Sequence, residues 1–133
     1  MSTKITQADA VMYLRARSLG STDDRATACA MIDAQRTACR RAAAELGVHV
    51  VREYAEHGGT GRIDKRPELR LMLDELRMLR DVRYVITISC DRLWRQVADQ
   101  AAIQFETDAA GTQLVFANEL LGKPPQQREE TSV

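Results

Sequence analysis

The sequence predicts an α/β fold, a three-layer sandwich around a four- or five-stranded, mainly parallel sheet. Three observations carry that expectation. The most apolar run, Tyr84-Val85-Ile86-Thr87-Ile88-Ser89-Cys90, is too short for a buried helix, rich in β-branched residues and apolar on both faces, as a central parallel strand must be. Shorter apolar runs alternate along the chain with stretches of helical periodicity, which implies right-handed crossovers and a sheet covered on both sides. At 133 residues the chain is long enough to bury such a core as one domain.

Residues Met1 to Asp9 form a polar lead-in, and Ala10–Ala16 is the first strand. Strand alternation puts Tyr13, Arg15 and Arg17 on one face and Met12, Leu14 and Ala16 on the other, so two arginines leave the strand end together. Ser18 to Asp24 is turn chemistry, with Asp23 or Asp24 placed to cap the next helix. From Arg25 to Leu46 the alanine-rich run is helical, Met31, Ile32, Cys39, Ala42, Ala43 and Leu46 make its apolar stripe, and Gly47 ends it. Val48, Val50 and Val51 mark a second strand reaching about Tyr54.

The stretch from His57 to Arg66 is glycine-rich but lacks P-loop spacing, so a mobile loop is its simplest meaning. Pro67 suits the first position of a helix and keeps Arg66 out of helical geometry at its mouth. Leu69, Met72, Leu73, Leu76 and Leu79 mark that helix's buried face. Leu71 and Met78 lie off it, as a wider core contact or a partner surface. After the central strand, Asp91 is a good N-cap for a helix on which Leu93, Val97, Ala101 and Phe105 recur at helical spacing. Arg92 and Arg95 then share one face of its first turn, where cations oppose the helix dipole and an anion would be welcome. Ala110-Gly111 turns the chain into a fourth strand, Thr112–Ala117. Nothing from Lys123 onward has an apolar face to bury, so the expected division is a domain over 1–122 and a disordered tail over 123–133.

Lysine plus arginine balance aspartate plus glutamate, 19 against 19, which excludes a strong overall field for nucleic acid or membrane. Any basic site must come from local clustering. Cys29, Cys39 and Cys90 lack metal-type or Cys-x-x-Cys spacing, and each is expected as a buried, reduced thiol in a cytoplasm. With no signal peptide, long apolar span or lipidation motif, no membrane partner is expected.

Sites in open α/β sheets form beyond the carboxyl ends of the strands. Arg15 and Arg17 leave strand one there, Arg62, Lys65 and Arg66 follow strand two, and Arg92 and Arg95 follow strand three. Their convergence would make one concentrated cationic pocket suited to a phosphodiester. The alternative is a set of solvated loop arginines, or partners for Asp23, Asp64 and Asp91. A nucleotide-binding domain is disfavoured, because no Gly-x-Gly-x-x-Gly follows strand one.

Tyr13-Leu14-Arg15, Gln35 within Ile32-Asp33-Ala34-Gln35-Arg36, Gly61, Arg66-Pro67 and Asp91-Arg92-Leu93-Trp94-Arg95 together resemble the catalytic domain of serine site-specific recombinases, the resolvase/invertase group. The phrase from Ala44 to Tyr54 is similar to that family's helix-to-strand crossover. The resemblance runs in order from about Val11 to Leu120, and Asp-Arg-Leu-x-Arg after a buried strand is its most specific part.

It implies a resolvase-like fold and a serine hydroxyl that attacks a DNA phosphodiester, leaving a phosphoserine link to the 5′ end and a free 3′ hydroxyl. Arginines neutralise the phosphate, with no metal or nucleotide cofactor. By position, Arg15, Arg66, Arg92 and Arg95 would be the catalytic phosphate ligands and Arg17, Arg62 and Lys65 further DNA phosphate contacts. Asp91 would orient an arginine or cap its helix. Gln35 would be a supporting polar residue, with an exposed helix position as its equal alternative. The implied partners are DNA, bound weakly by this domain alone, and a second copy or a full-length recombinase.

Two departures matter. The family's Tyr-x-Arg-x-Ser motif has Arg17 at its serine position. Ser18 comes next, but one step along an extended strand points to the opposite face. Ser21-Thr22-Asp23-Asp24 resembles the family's Ser-Thr-Asp-Asp continuation, and Ser21 would serve only with four extra residues after the strand. Ser18, Ser21 and no nucleophile all stay open. The chain also stops at the loop where the family's long dimerising helix begins. The expectation is thus a stand-alone catalytic domain that cuts and rejoins DNA, or a degenerate relative acting as an interaction or regulatory module.

Overall fold

The structure is a computed structural model and describes residues 8–16, 24–57, 65–79, 81–94 and 96–122. Four strands, β1 (Asp9–Ala16), β2 (His49–His57), β3 (Val82–Thr87) and β4 (Gln113–Phe116), form one sheet in the order β2-β1-β3-β4. Every pairing is parallel. The helices are α1 (Asp24–Leu46), α2 (Pro67–Leu79), α3 (Cys90–Leu93), α4 (Val97–Ala109) and α5 (Ala117–Leu121).

β1 is an interior strand under both helix layers, which is why its residues from Ala10 to Ala16 are all buried. Met12, Leu14 and Ala16 meet Ile32, Cys39 and Ala42 of α1 in one core, to which Ala117 of α5 adds. Val11, Tyr13 and Val85 meet Leu69, Met72 and Leu76 of α2 and Ile103 of α4 in the other. The small residues of the α1 stripe let that helix lie close to the sheet. Gly47, at φ 71°, takes the left-handed conformation that closes it, donating to the Ala44 carbonyl at 3.2 Å. Arg70 of α2 ties the second layer together by reaching Glu106 of α4 at 2.5 Å.

Several expectations need correction. β2 runs on past Tyr54 to His57, because its later residues continue to pair with Leu14, Arg15 and Ala16. β3 stops at Thr87 rather than Cys90, and the Ile88 carbonyl accepts from the Asn118 N–H at the start of α5 instead. α5 itself, docked against α1, was not foreseen in the sequence. The helix placed after Asp91 is two helices. The N-cap position of α3 is Ser89, not Asp91, without a side-chain capping hydrogen bond, and Trp94 returns to extended backbone, φ −146° and ψ 159°.

That break resets the helical phase. Ile103 and Thr107 become the buried residues of α4, and Val97, Ala101 and Phe105 are exposed. Leu79 also leaves the core, at the last position of α2. Of the cysteines only Cys39 is buried; Cys29 and Cys90 are exposed. The tail assigned to 123–133 lies outside the described residues. No helix among the described residues is long and apolar enough to cross a membrane.

Candidate active site

In this strand order the chain turns back between β1 and β3, since β2 lies on one side of β1 while β3 and β4 lie on the other. The crevice at the carboxyl ends of those two strands is where an α/β sheet holds a ligand. Pairing between β1 and β3 ends at Tyr13–Thr87, where the Thr87 hydroxyl donates to the Tyr13 carbonyl at 2.8 Å. β1 goes on alone with β2 to Ala16. In parallel strands alternate residues aim both backbone groups at the same neighbour. The N–H and carbonyl of Arg15 therefore face the side that β3 has left.

Gln35 of α1 takes up both groups. Its Oε1 accepts from the Arg15 N–H at 3.0 Å and its Nε2 donates to the Arg15 carbonyl at 2.7 Å. Gln35 is buried, not exposed, and acts as a one-residue substitute for a strand. Arg15 is buried as well, and its Cα is in register with Glu56 of β2.

Glu56 is the site residue that sequence reasoning missed. Its carboxylate accepts from the Tyr13 hydroxyl at 3.0 Å and from the N–H groups of Glu68 and Leu69 at 3.1 and 3.0 Å. Pro67 has no N–H, and Arg70 donates to the Arg66 carbonyl at 3.1 Å, so the first turn of α2 is fully satisfied. The anion at this helix N-terminus is the protein's own. Had the second strand been carried two residues past Tyr54, alternation would have put Glu56 on the face shared with Tyr54 and Tyr13. Burial pushes the Tyr13 phenol well above the ordinary tyrosine range; the Glu56 charge adds to this and the Arg66 guanidinium opposes it.

Arg66 is among the most buried side chains, at 1% exposure. Its Nη1 donates to the Arg92 carbonyl at 3.1 Å and its Nη2 to the Leu93 carbonyl at 2.5 Å. The guanidinium fork thus joins the mouth of α2 to the end of α3 and fixes where Arg92 stands. Arg92 is half-buried, and its Nη1 is buried with no hydrogen-bond partner among the described residues. Asp91 is exposed and accepts a hydrogen bond from the Ser89 hydroxyl. Lys65 is exposed.

Of the residues singled out in the sequence, Arg15, Gln35, Arg66 and Arg92 gather at this sheet edge, with Asp91 and Lys65 at its rim. Arg17, Ser18, Ser21, Arg62 and Arg95 lie outside the described residues. α3 ends at Leu93, so the helix expected to run on from Asp91 stops before Trp94. No three His, Cys, Asp or Glu side chains among the described residues converge as a metal cage.

Comparison with known proteins places the chain. The family model for the resolvase N-terminal domain matches residues 10–131. The chain is similar to the N-terminal catalytic domain of TP901-1 integrase, with 19% identity over 93% of this chain and 89% of that one and a TM-score of 0.68. It is similar to a resolvase family site-specific recombinase from Streptococcus pneumoniae, with 18% identity over 95% and 84% and a TM-score of 0.69. The C-terminal catalytic domain of IS1535 TnpA, an IS607-like serine recombinase, shares 29% identity over 81% and 70% with a TM-score of 0.56. No curated protein matches the chain. The four-stranded parallel sheet has the fold of those catalytic domains, and a family match over nearly the whole chain means that it belongs to the resolvase family of serine recombinases.

Proposed function

We propose that the chain cleaves and rejoins DNA strands in recombination through a phosphoserine intermediate. A serine Oγ–P bond forms as the P–O3′ bond breaks; the serine gives up its proton and the departing 3′ oxygen takes one. The observation that carries this reading is Arg92, a guanidinium whose buried Nη1 has no acceptor among the described residues and whose backbone is clamped by Arg66. A cation held in that way stabilises the added charge of a pentacovalent phosphorane without reorganising. Arg15 stands at the same crevice, fixed through its backbone by Gln35. Arg95 would complete the catalytic phosphate ligands, and Arg17, Arg62 and Lys65 would extend the phosphate contacts along DNA. Ser18 is the first candidate nucleophile and Ser21 the second. DNA and a second copy, or a complete recombinase that supplies site binding, are the partners.

Trapping on a nicked DNA substrate, with a complete recombinase present, tests the reading. A covalent protein–DNA adduct is expected from the unaltered chain and its loss from Arg92→Ala. Loss with Ser18→Ala or with Ser21→Ala names the nucleophile. Salt-sensitive DNA binding decides nothing, since any arginine cluster supplies it.

A second reading is favoured by Arg17 at the family's serine position. The chain would then be a non-catalytic relative that modulates a complete recombinase. Absence of any adduct, with partner binding unaffected by Arg92→Ala, would establish it.

A further inference from the structure

We propose that Trp94 is a positioning residue for Arg92: its ring, seated edge-on against Phe116, fixes where α3 presents the Arg92 guanidinium. α3 is one turn of four residues with no side-chain cap, too short to hold its own orientation. What grips its ends decides what it presents. From the α2 side, Arg66 holds the carbonyls of Arg92 and Leu93. Two neighbouring carbonyls define a line, and about that line the turn could still pivot. The second grip is Trp94, whose backbone is extended and whose ring meets that of Phe116 with centroids 5.8 Å apart and planes at 88°. Such an edge-to-face contact is directional. Local sequence does not favour the break at this point. Leu93, Val97, Ala101 and Phe105 recur at helical spacing with no glycine or proline among them, so a tertiary contact has to hold the chain out of the helix.

Phe116 is a fixed reference for that contact. It stands in register with Thr87 of β3, and the Thr87 hydroxyl holds the Tyr13 carbonyl where the pairing of β1 with β3 ends. Two residues later the Asn118 N–H donates to the Ile88 carbonyl at 2.9 Å, which ties the end of β4 to the end of β3. The ring that seats Trp94 thus belongs to the level of the sheet from which Arg15 departs. Arg92, two residues before Trp94, is thereby set at a constant spacing from Arg15. A phosphate shared by two guanidiniums needs such a constant spacing, since a small misplacement costs much of the rate. The importance of that spacing for cleavage rests on the reading above, whereas the anchoring of α3 does not.

Amide hydrogen exchange of the full chain, followed by NMR, reads the anchoring without DNA. The Arg92 and Trp94 N–H groups donate to the Ser89 and Cys90 carbonyls, so their protection reports the order of α3. Phe116→Leu keeps an apolar side chain and removes the ring. It is expected to speed exchange at Arg92 and Trp94 by roughly 3- to 10-fold, with the Ile86 and Ile103 amides unchanged. The emission of Trp94, the chain's single tryptophan, should shift to the red. Trp94→Leu should loosen the same α3 amides, and Trp94→Phe, which keeps a ring, should restore their protection to within about twofold. On nicked DNA with a complete recombinase present, Trp94→Leu should slow adduct formation at saturation by about tenfold, leave the half-saturating DNA concentration within about twofold, and be rescued by Trp94→Phe. Exchange that rises at Arg92 and Trp94 no more than at Ile86 and Ile103 overturns the proposal. So does local loosening of α3 with an unaltered adduct rate. If even the unaltered chain forms no adduct, the cleavage reading fails and exchange alone decides the anchoring.

Discussion

A buried arginine whose two Nη groups each hold a backbone carbonyl is fixed as firmly as a core side chain, and Arg66 is such a residue. Lysine, a single ammonium on a flexible stem, cannot hold both carbonyls in the same geometry. Arg66→Lys should therefore lose about 2–3 kcal/mol of stability in urea denaturation, and lose adduct formation along with it, because the α3 end that carries Arg92 is released. Gln35→Leu keeps the size but orphans the Arg15 N–H and carbonyl, and should cost about 2–4 kcal/mol in the same measurement. The identities of Arg15, Gln35, Arg66 and Arg92 were legible in the sequence because the family resemblance rests on them. Their division of labour was not. Whether a guanidinium meets a phosphate or a carbonyl depends on groups far away in the chain.

At the level of elements, helix periodicity is a dependable guide only while the backbone stays helical. The α1 and α2 stripes were readable because each helix runs unbroken, and Leu79 escaped only as the final residue. At Trp94 the backbone leaves the helix, its ring meets Phe116 edge-on at 5.8 Å, and α4 begins again with a new phase. Nothing in the spacing of Leu93, Val97, Ala101 and Phe105 reveals that interruption. Alanine substitution distinguishes the two phases: Ile103→Ala should cost about 2–5 kcal/mol by urea denaturation, and Phe105→Ala less than about 0.5 kcal/mol. Gly47→Ala should cost about 1 kcal/mol, since a Cβ strains the left-handed conformation at φ 71° even with open space around it.

For the molecule as a whole, several acids are buried in their neutral form. Burial, with Glu53 nearby, pushes the Cys39 thiol from 9.0 up to about 12. Burial and carboxylate neighbours likewise hold the Tyr13 and Tyr54 phenols well above their ordinary 10.0. In the unfolded chain these groups lose protons first, so the unfolded state binds fewer protons and stability falls as pH rises. Their contribution is complete below about pH 9 and declines above it, by up to about 1.4 kcal/mol per pH unit for each group titrating. Urea midpoints followed from about pH 8 to about pH 11 should show that fall, and Cys39→Ala should remove its first part. A flat profile would mean that these groups ionise alike in both states.

What the sequence by itself determined was the alternation of strands and helices, the parallel sheet, the two faces of β1 and the sheet edge at which Arg15, Arg66 and Arg92 stand. Each is written in short-range patterns: period two in strands, period 3.6 in helices, glycine at the α1 terminus. Tertiary structure alone decided that Glu56 caps α2, that Gln35 replaces a strand beside Arg15, that Arg66 clamps the end of α3 and that α4 turns an apolar stripe outward. In the first three cases the partners lie between 12 and 27 positions apart and meet only because the sheet brings them together. Local pattern specifies which face a side chain takes, while the long-range packing of the layers specifies what it finds there.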